Sequence, residues 1–277
     1  IGTTPNLIFA GIYRMFYGTE ITFLQWASFG APLAFLILIA CWAYLVYVAY
    51  PPRIKVLGEG INEEIAKLGK ITIQERRVLA VFLLVAALWI TRALWGKYLP
   101  MIMDSSIAIF GAFLLFLIPA GKEEALLKWN DALRLPWDVV LLLGGGLAIA
   151  KGFTETGLDV WIANQLLFLK VMPAVVIILA VVTLTIFLTE ITSNTATATI
   201  IIPVTASLAA ALGIEPLGLM IAAAISASLA FMLPVATPPN AIVFATGYVT
   251  IPQMAKAGVW MNLLCIAIIT IYIYAIH

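Results

Sequence analysis

The sequence predicts an all-α polytopic membrane protein. Three observations carry that prediction: an extreme apolar composition, apolar runs of helix length, and polar or proline-broken patches set inside those runs. Hydrophobic residues make up 64% of the 277 and charged residues 10%, against about 45–50% and about 25% in an ordinary soluble domain. At roughly 20 residues per crossing helix, the length accommodates about six or seven spans and leaves little for a separate soluble enzyme domain. Fifteen basic residues against fourteen acidic ones give a net charge near +1, so nucleic acid is not an expected partner. Cys41 and Cys265 stand in apolar runs away from any CxxC or Cys/His spacing, and the one histidine is His277. A disulfide framework, a structural zinc site and His-based catalysis are therefore not expected, and the chain does not read as an enzyme.

Taken in order, the chain opens on IGTTPNLIFAG with no methionine or leader, which reads as a piece of a longer protein. Residues 1–21 form the loop and second half of a broken helix, 22–50 a membrane span, and 51–77 a polar loop with a short surface helix. Residues 78–170 hold scaffold-type spans and connections, with helices expected over 78–96, 104–120 and 136–151. Residues 171–277 form a second region: paired helices 171–190 and 196–212, a broken helix over 217–246 and a last span from 255. The pair within 171–212 is joined only by TEITSNTAT. Either both helices cross, or they form a re-entrant hairpin whose tip stops inside the membrane, where irregular backbone must be buried in protein or line a cavity.

Both readings add an even number of crossings, so the loops still sort into two sides. One side collects Arg53, Lys55, Lys67, Lys70, Arg76, Arg77, Lys122, Lys128, Arg134 and Lys256; the other has Arg14, Arg92, Lys97, Lys151 and Lys170. Basic residues concentrate on the cytoplasmic side, which puts the 51–77 loop inside and the C-terminus outside. Trp42, Tyr44, Tyr47, Tyr50, Trp95, Tyr98, Trp129, Trp137 and Trp161 fit an interfacial aromatic belt.

An internal repeat sharpens the class. GTTPNLIFAGIY at 2–13 matches ATPPNAIVFATGY at 236–248, and each is followed by T-x-x-Q-x-A-x-x-G, at Thr22 to Gly30 and Thr250 to Gly258. The first copy carries six more residues between the two patterns, assigned to RMFYGT. Counting spans, the two copies run in opposite directions. An inverted repeat with broken helices is the mark of many secondary transporters, whose substrate and ion sites lie near the midplane. A first S-N-T is then expected upstream of Ile1.

The residues able to do chemistry cluster in two places. In LTEITSNTATATIIIP, Thr189, Thr192, Ser193, Asn194 and Thr195 supply hydroxyls and an amide. Their oxygens suit a sodium ion and their O–H and N–H groups suit a carboxylate. The helix starting near Ala196 would direct N–H groups at the same spot, although Ser, Asn and Thr are also ordinary helix caps. In LPVATPPNAIVF, prolines break an apolar helix and free carbonyls near Pro234 to Thr237. A helix resuming near Asn240 would offer N–H groups to an anion, the alternative being a simple kink. Glu190 is the best intramembrane acidic candidate, whereas Asp104 and Asp138 sit at span ends. The triple glycine of LLLGGGLAIAKG lacks a GxxxxGK[ST] pattern and reads as helix packing, and Lys151 as a span-end residue whose amine snorkels toward water.

These motifs together, SNT at 193–195 after TEIT, ATPPNA at 236–241, GTTPN and WDVVLLLGGGLAIAKGFTETGL at 137–158, resemble the divalent anion/sodium symporter family, the INDY-type dicarboxylate and citrate carriers. The resemblance covers essentially the whole chain as the C-terminal half of such a carrier. It implies that Ser193, Asn194 and Thr195 at the tip of an external hairpin bind substrate carboxylate, joined by Thr237 and Pro238. It implies a sodium site from Thr189, Thr192, Asn194 and Ala236, partly through backbone carbonyls. Gly2 and Thr3, as counterparts of Ala236 and Thr237, take the remaining share of the first sodium site and of the substrate pocket. Thr4 departs from the proline of the second copy, and the first SNT is absent.

The resemblance further implies sodium-coupled symport of C4-dicarboxylates or related anions, an elevator motion, a homodimer and a place in the cell (inner) membrane, with the missing N-terminal half as a partner. An inorganic-anion carrier, for instance for sulfate, a proton-coupled carrier, and a non-transporting membrane scaffold or enzyme are the competing readings.

Overall fold

The structure is a computed structural model that describes residues 2–51, 66–67, 69–121, 124–135 and 137–276. Most of the 51–77 loop, with Arg53 and Lys55, lies outside the described residues, as do Lys122 and His277; of Asp138 only the backbone is described. The elements in chain order are α1 (Thr4–Tyr17), α2 (Phe23–Ala43, ending in a π-helical turn Tyr44–Ala49), α3 (Ile73–Trp95) and α4 (Asp104–Leu117). After a single helical turn at Trp129–Ala132 come α5 (Trp137–Thr156), α6 (Leu158–Gln165), α7 (Ala174–Ile191) and α8 (Asn194–Leu212). The last are α9 (Pro216–Ser226), α10 (Pro238–Ala245) and α11 (Ile251–Ile276).

The protein is all-α and polytopic. Among the described residues five helical segments are long and apolar enough to cross a bilayer: Phe23–Ala49, Ile73–Trp95, Ala174–Ile191, Asn194–Leu212 and Ile251–Ile276.

Several helices begin earlier than the apolar pattern suggests, because short capping motifs start them inside polar sequence. Thr72 and Glu75 form a reciprocal box, with Thr72 N donating to Glu75 Oε2 at 2.7 Å and Glu75 N to Thr72 Oγ1 at 3.2 Å. This starts α3 at Ile73 rather than 78. The T-x-x-Q of the internal repeat is the same device. Gln25 Oε1 accepts from Thr22 N at 3.0 Å, and Gln253 Oε1 from Thr250 N at 2.9 Å, each directly ahead of a long helix. The two copies also agree at their TPN segments, where Thr3 and Thr237 are extended N-caps and proline occupies the first helical turn. The extra residues of the first copy prolong its helix, 14 residues in α1 against 8 in α10.

The chain forms two compact units. In the unit made of Thr22–Ser28 and Pro52–Pro136, α3 packs on α4, with Gly111 set directly against the Val85 side chain. Asp104 opens α4 as a helix N-terminal carboxylate: it accepts from Phe23 N at 2.8 Å and pairs with Arg92 at 3.0 Å.

In the unit made of Ile1–Ile21, Phe29–Pro51 and Trp137–His277, α8 is the centre, packed by α1, α5, α6 and α9, while α7 packs on α9 and α11. This unit sets polar side chains within an apolar core and is apolar outside as well. Thr185, Thr197, Thr205, Ser226, Asn262 and Thr270 are buried, while Leu184, Ile191, Ile200 and Ile271 are exposed. That arrangement suits a bilayer, where buried hydroxyls and amides find partners only inside the protein. Of the three consecutive glycines, Gly146 alone meets a neighbour: a Cβ there would come within 2.6 Å of Thr199 Oγ1 on α8, whereas Gly144 and Gly145 face open space. Cys41 and Cys265 are free buried thiols with their sulfurs 4.0 Å apart. Lys151 is exposed and pairs with Glu155 at 3.6 Å.

Candidate functional site

The polar patch between α7 and α8 is a two-residue turn. Thr192 closes α7 with extended backbone, and Ser193 is the N-cap of α8, its Oγ accepting from Ala196 N at 3.1 Å. Asn194 and Thr195 therefore occupy the first turn of α8, two residues earlier than the apolar run indicates. The cap role and a ligand role do not compete here. A serine oxygen that accepts an N–H keeps its own proton, so capping fixes the position of Ser193 Oγ and leaves a donor for an anion. Asn194 Nδ2 and the Thr195 hydroxyl make no hydrogen bond among the described residues and add two further neutral donors.

The broken helix is wider than its prolines require. α9 stops at Ser226, well before Pro234, and α10 resumes at Pro238, leaving 227–237 as an irregular connector. Its backbone is satisfied by side chains from neighbouring elements. Thr189 Oγ1 lies 2.9 Å from Ala227 O, and Asn240 Nδ2 donates to Ala230 O at 2.9 Å and to Leu233 O at 3.1 Å. Ala230 O and Leu233 O thus have a donor of their own, whereas Ala227 O shares the one Thr189 proton with Asn194 Oδ1; of the carbonyls expected to be free at Pro234 to Thr237, that of Thr237 accepts from Ala241 N at 3.1 Å.

The start of α10 also differs from expectation. Pro238 and Pro239 have no N–H, Asn240 N donates to Thr237 Oγ1 at 3.4 Å, and Ala241 N to Thr237 O at 3.1 Å. This helix end accordingly has little to offer an anion through its backbone. Its available donor is the Thr237 hydroxyl proton, left over by the same cap arithmetic as at Ser193. Pro238 can add only apolar contact.

Thr189 gives the most telling geometry. Its Oγ1 lies 2.7 Å from Asn194 Oδ1 and 2.9 Å from Ala227 O. Three oxygens converge with one proton among them, since an amide oxygen and a carbonyl only accept. Such an oxygen-rich, proton-poor cluster suits a hard monovalent cation, which bonds to oxygens without needing donors. Of the other proposed cage members, the Thr192 hydroxyl turns back to Leu188 O at 2.9 Å and to Thr197 Oγ1 at 2.5 Å, which commits its proton and leaves a lone pair and the backbone carbonyl able to meet an ion. Ala236 is buried, its N–H donating to Leu233 O at 3.2 Å.

At the first copy, Thr3 caps α1 and its Oγ1 lies 2.8 Å from Ser228 Oγ; Gly2 is exposed beside it. The contact joins the loops of both repeat copies, because Ser228 follows Ala227 of the oxygen cluster. Asn194, Thr189, Ala227, Ser228 and Thr3 thus form one continuous polar chain. No hydrogen bond among the described residues ties Ser193, Asn194 or Thr195 to Thr237.

Sequence reasoning missed Ser228, which carries no motif, and Asn240 as a backbone clamp, although its place in TPPN gave a signal. Glu190, singled out as an intramembrane acid, is 3% exposed. It is engaged by Phe231 N, Met232 N and Asn262 Nδ2 rather than aimed at the tip. Among the described residues, no cluster of three or more His, Cys, Asp or Glu side chains could hold a metal ion.

Comparison with known proteins gives the family of the chain. The family described as the sodium:sulfate symporter transmembrane region matches residues 1–276. A protein from Staphylococcus saprophyticus named sodium-dependent dicarboxylate transporter SdcS is 44% identical over 99% of this chain and 54% of its own length. Its namesake from Staphylococcus aureus strain MRSA252 is 43% identical over 100% of this chain and 55% of its own length. The chain spans about half the length of the curated relatives it matches. The family and the named relatives are transporters, not enzymes.

Proposed function

The chain belongs to the family of the sodium:sulfate symporter transmembrane region, and we propose from that premise that it forms part of a sodium-coupled carrier of C4-dicarboxylates or related di- and tricarboxylate anions. The observation that carries the reading is the proton-poor cluster of Thr189 Oγ1, Asn194 Oδ1 and Ala227 O at the start of α8. A cation there is adjacent to a set of neutral donors: Ser193, the Asn194 amide, Thr195 and, across the broken helix, Thr237. The donors suit a carboxylate, whose hydrogen bonds to neutral groups are charge-assisted. The shared Asn194 couples the two cargoes, its oxygen on the ion side and its nitrogen on the anion side. Thr192 and Ala236 join the ion cage through backbone carbonyls, and Gly2 with Thr3 serve the site of the first copy. The names of the relatives favour dicarboxylate over sulfate as cargo.

The same reading includes an inverted repeat, a hairpin tip formed by α7 and α8 that opens outward, an elevator motion and a homodimer in the cell membrane. The local agreement of the two TPN and T-x-x-Q segments supports the repeat.

The test is uptake of labelled succinate by the full-length carrier in proteoliposomes, with sodium replaced by choline in the control and sulfate added as competitor. Sodium-dependent succinate uptake resistant to excess sulfate is expected. Uptake indifferent to sodium, or sulfate transport without succinate transport, would overturn the reading.

A further inference from the structure

The Glu190 carboxylate is the acceptor of a clamp. Phe231 N donates to Oε1 at 2.7 Å, Met232 N to Oε1 at 3.1 Å and Oε2 at 3.0 Å, and Asn262 Nδ2 to Oε1 at 2.8 Å. Three N–H groups thus engage the carboxylate, that of Met232 shared between its two oxygens, and they commit Glu190 to the connector backbone rather than to the tip. Against the same peptide lies Gly258 of α11. A Cβ at that position would stand 2.6 Å from Phe231 C, Phe231 O and Met232 Cα. Those are backbone atoms, which cannot swing aside as a side chain does. Asn262 is one helical turn beyond Gly258 on the same face, and it is fully buried. The peptide joining Phe231 to Met232 is therefore held between α7 and α11 by one carboxylate, one amide and one missing side chain.

We propose that Glu190, Gly258 and Asn262 are positioning residues that set sodium and substrate affinity from outside the site by seating the 231–232 peptide. This rests on the reading given under Proposed function. The peptide is the middle of the 227–237 connector, whose near end supplies Ala227 O to the oxygen cluster and Ser228 to Thr3, and whose far end supplies Ala236 and Thr237. A displaced middle shifts both ends, and the cluster tolerates little shift because its oxygens are already 2.7–2.9 Å apart. Glu190 also follows Thr189 directly, so the last turn of α7 fixes the connector at two points. The T-x-x-Q-x-A-x-x-G pattern gains a reason for its last glycine: it is the seat on which the connector backbone rests.

The experiment uses the full-length carrier with Gly258→Ala, Glu190→Gln and the milder Asn262→Ala, which leaves the backbone contacts to Glu190 in place. Sodium-titrated succinate uptake is normalised to folded protein, and sodium-dependent protection against thermal unfolding is measured alongside it for any variant that transports poorly. Each variant is expected to raise the sodium concentration for half-maximal effect by at least about fivefold, the lower end of ordinary coupling between sites, with substrate affinity falling in parallel. A purely structural role lowers the yield of folded protein and leaves the half-saturating sodium concentration of the folded fraction unchanged; that result in Asn262→Ala overturns the proposal. Absence of sodium-dependent uptake in the unaltered carrier would instead remove the underlying reading.

Discussion

Replacing Asn194 by alanine separates binding from folding better than any other change at the tip. In the structure Asn194 Oδ1 accepts from Thr189 Oγ1 at 2.7 Å, but Thr189 keeps a second acceptor, Ala227 O, at 2.9 Å. The cap of α8 belongs to Ser193 and is untouched. The folding cost is therefore one neutral hydrogen bond, about 1 kcal/mol, partly offset by alanine's better helix propensity, worth up to about 0.7 kcal/mol. The binding cost is larger. Losing the Nδ2 donor to a charged carboxylate removes about 1.5–3 kcal/mol, which is roughly 10- to 100-fold in substrate affinity. Losing Oδ1 weakens the cation cage at the same time. Because coupling between bound species is reciprocal, substrate and sodium affinities should fall together. Labelled succinate uptake, titrated with sodium and normalised to folded protein, reads both. A variant with wild-type uptake and an unshifted sodium curve would refute the assignment of this tip as the site.

Two other outcomes are expected. Gly146→Ala forces a methyl against Thr199 Oγ1 and should cost about 1–3 kcal/mol by overpacking. Gly144→Ala and Gly145→Ala should be nearly neutral, and Thr199→Ala should restore the Gly146 variant; equal thermal midpoints for all three glycine variants would contradict the packing argument. For sidedness, Lys67→Cys should react with a membrane-impermeant maleimide only from the cytoplasm and Ala275→Cys only from outside, the buried native thiols giving little background. The reverse pattern would overturn the orientation.

How much of this was legible in the sequence varies with the physics behind each element. The long helices were, because apolar runs of bilayer length have few other uses. Two of their starts were displaced where a capping motif lay in polar residues, at Thr72 with Glu75 and at Thr250 with Gln253, both readable as S/T-x-x-E/Q boxes. The T-x-x-Q pattern was seen as a repeat but not as a helix start. The end of α9 was not legible. Nothing local at Ser226 stops a helix; the connector beyond it is held by Thr189, Glu190 and Asn240, and such tertiary bonds leave no local pattern. At the site, the residue types at 189–195 and 236–238 were readable, but not which of their atoms remain available. Thr192 commits its hydroxyl proton to Leu188 O, and the α10 N-terminus loses its N–H groups to two prolines and Thr237.

The double duty of Ser193 and Thr237 bears on how such a carrier can change its cargo over evolutionary time. In the proposed site each hydroxyl begins a helix with its oxygen and addresses the anion with its proton, so a lineage cannot exchange either residue for an apolar one without also loosening the helix it starts. Aspartate would preserve the cap but set a negative charge against the cargo. Drift at these two positions is thereby confined to neutral caps that also donate, Ser, Thr and Asn. Thr195 is under no such double constraint: half-buried, one residue into α8 and without a side-chain hydrogen bond among the described residues, it can vary at small structural cost. Related carriers that prefer anions of different size or charge should therefore differ at the position of Thr195 sooner than at either cap.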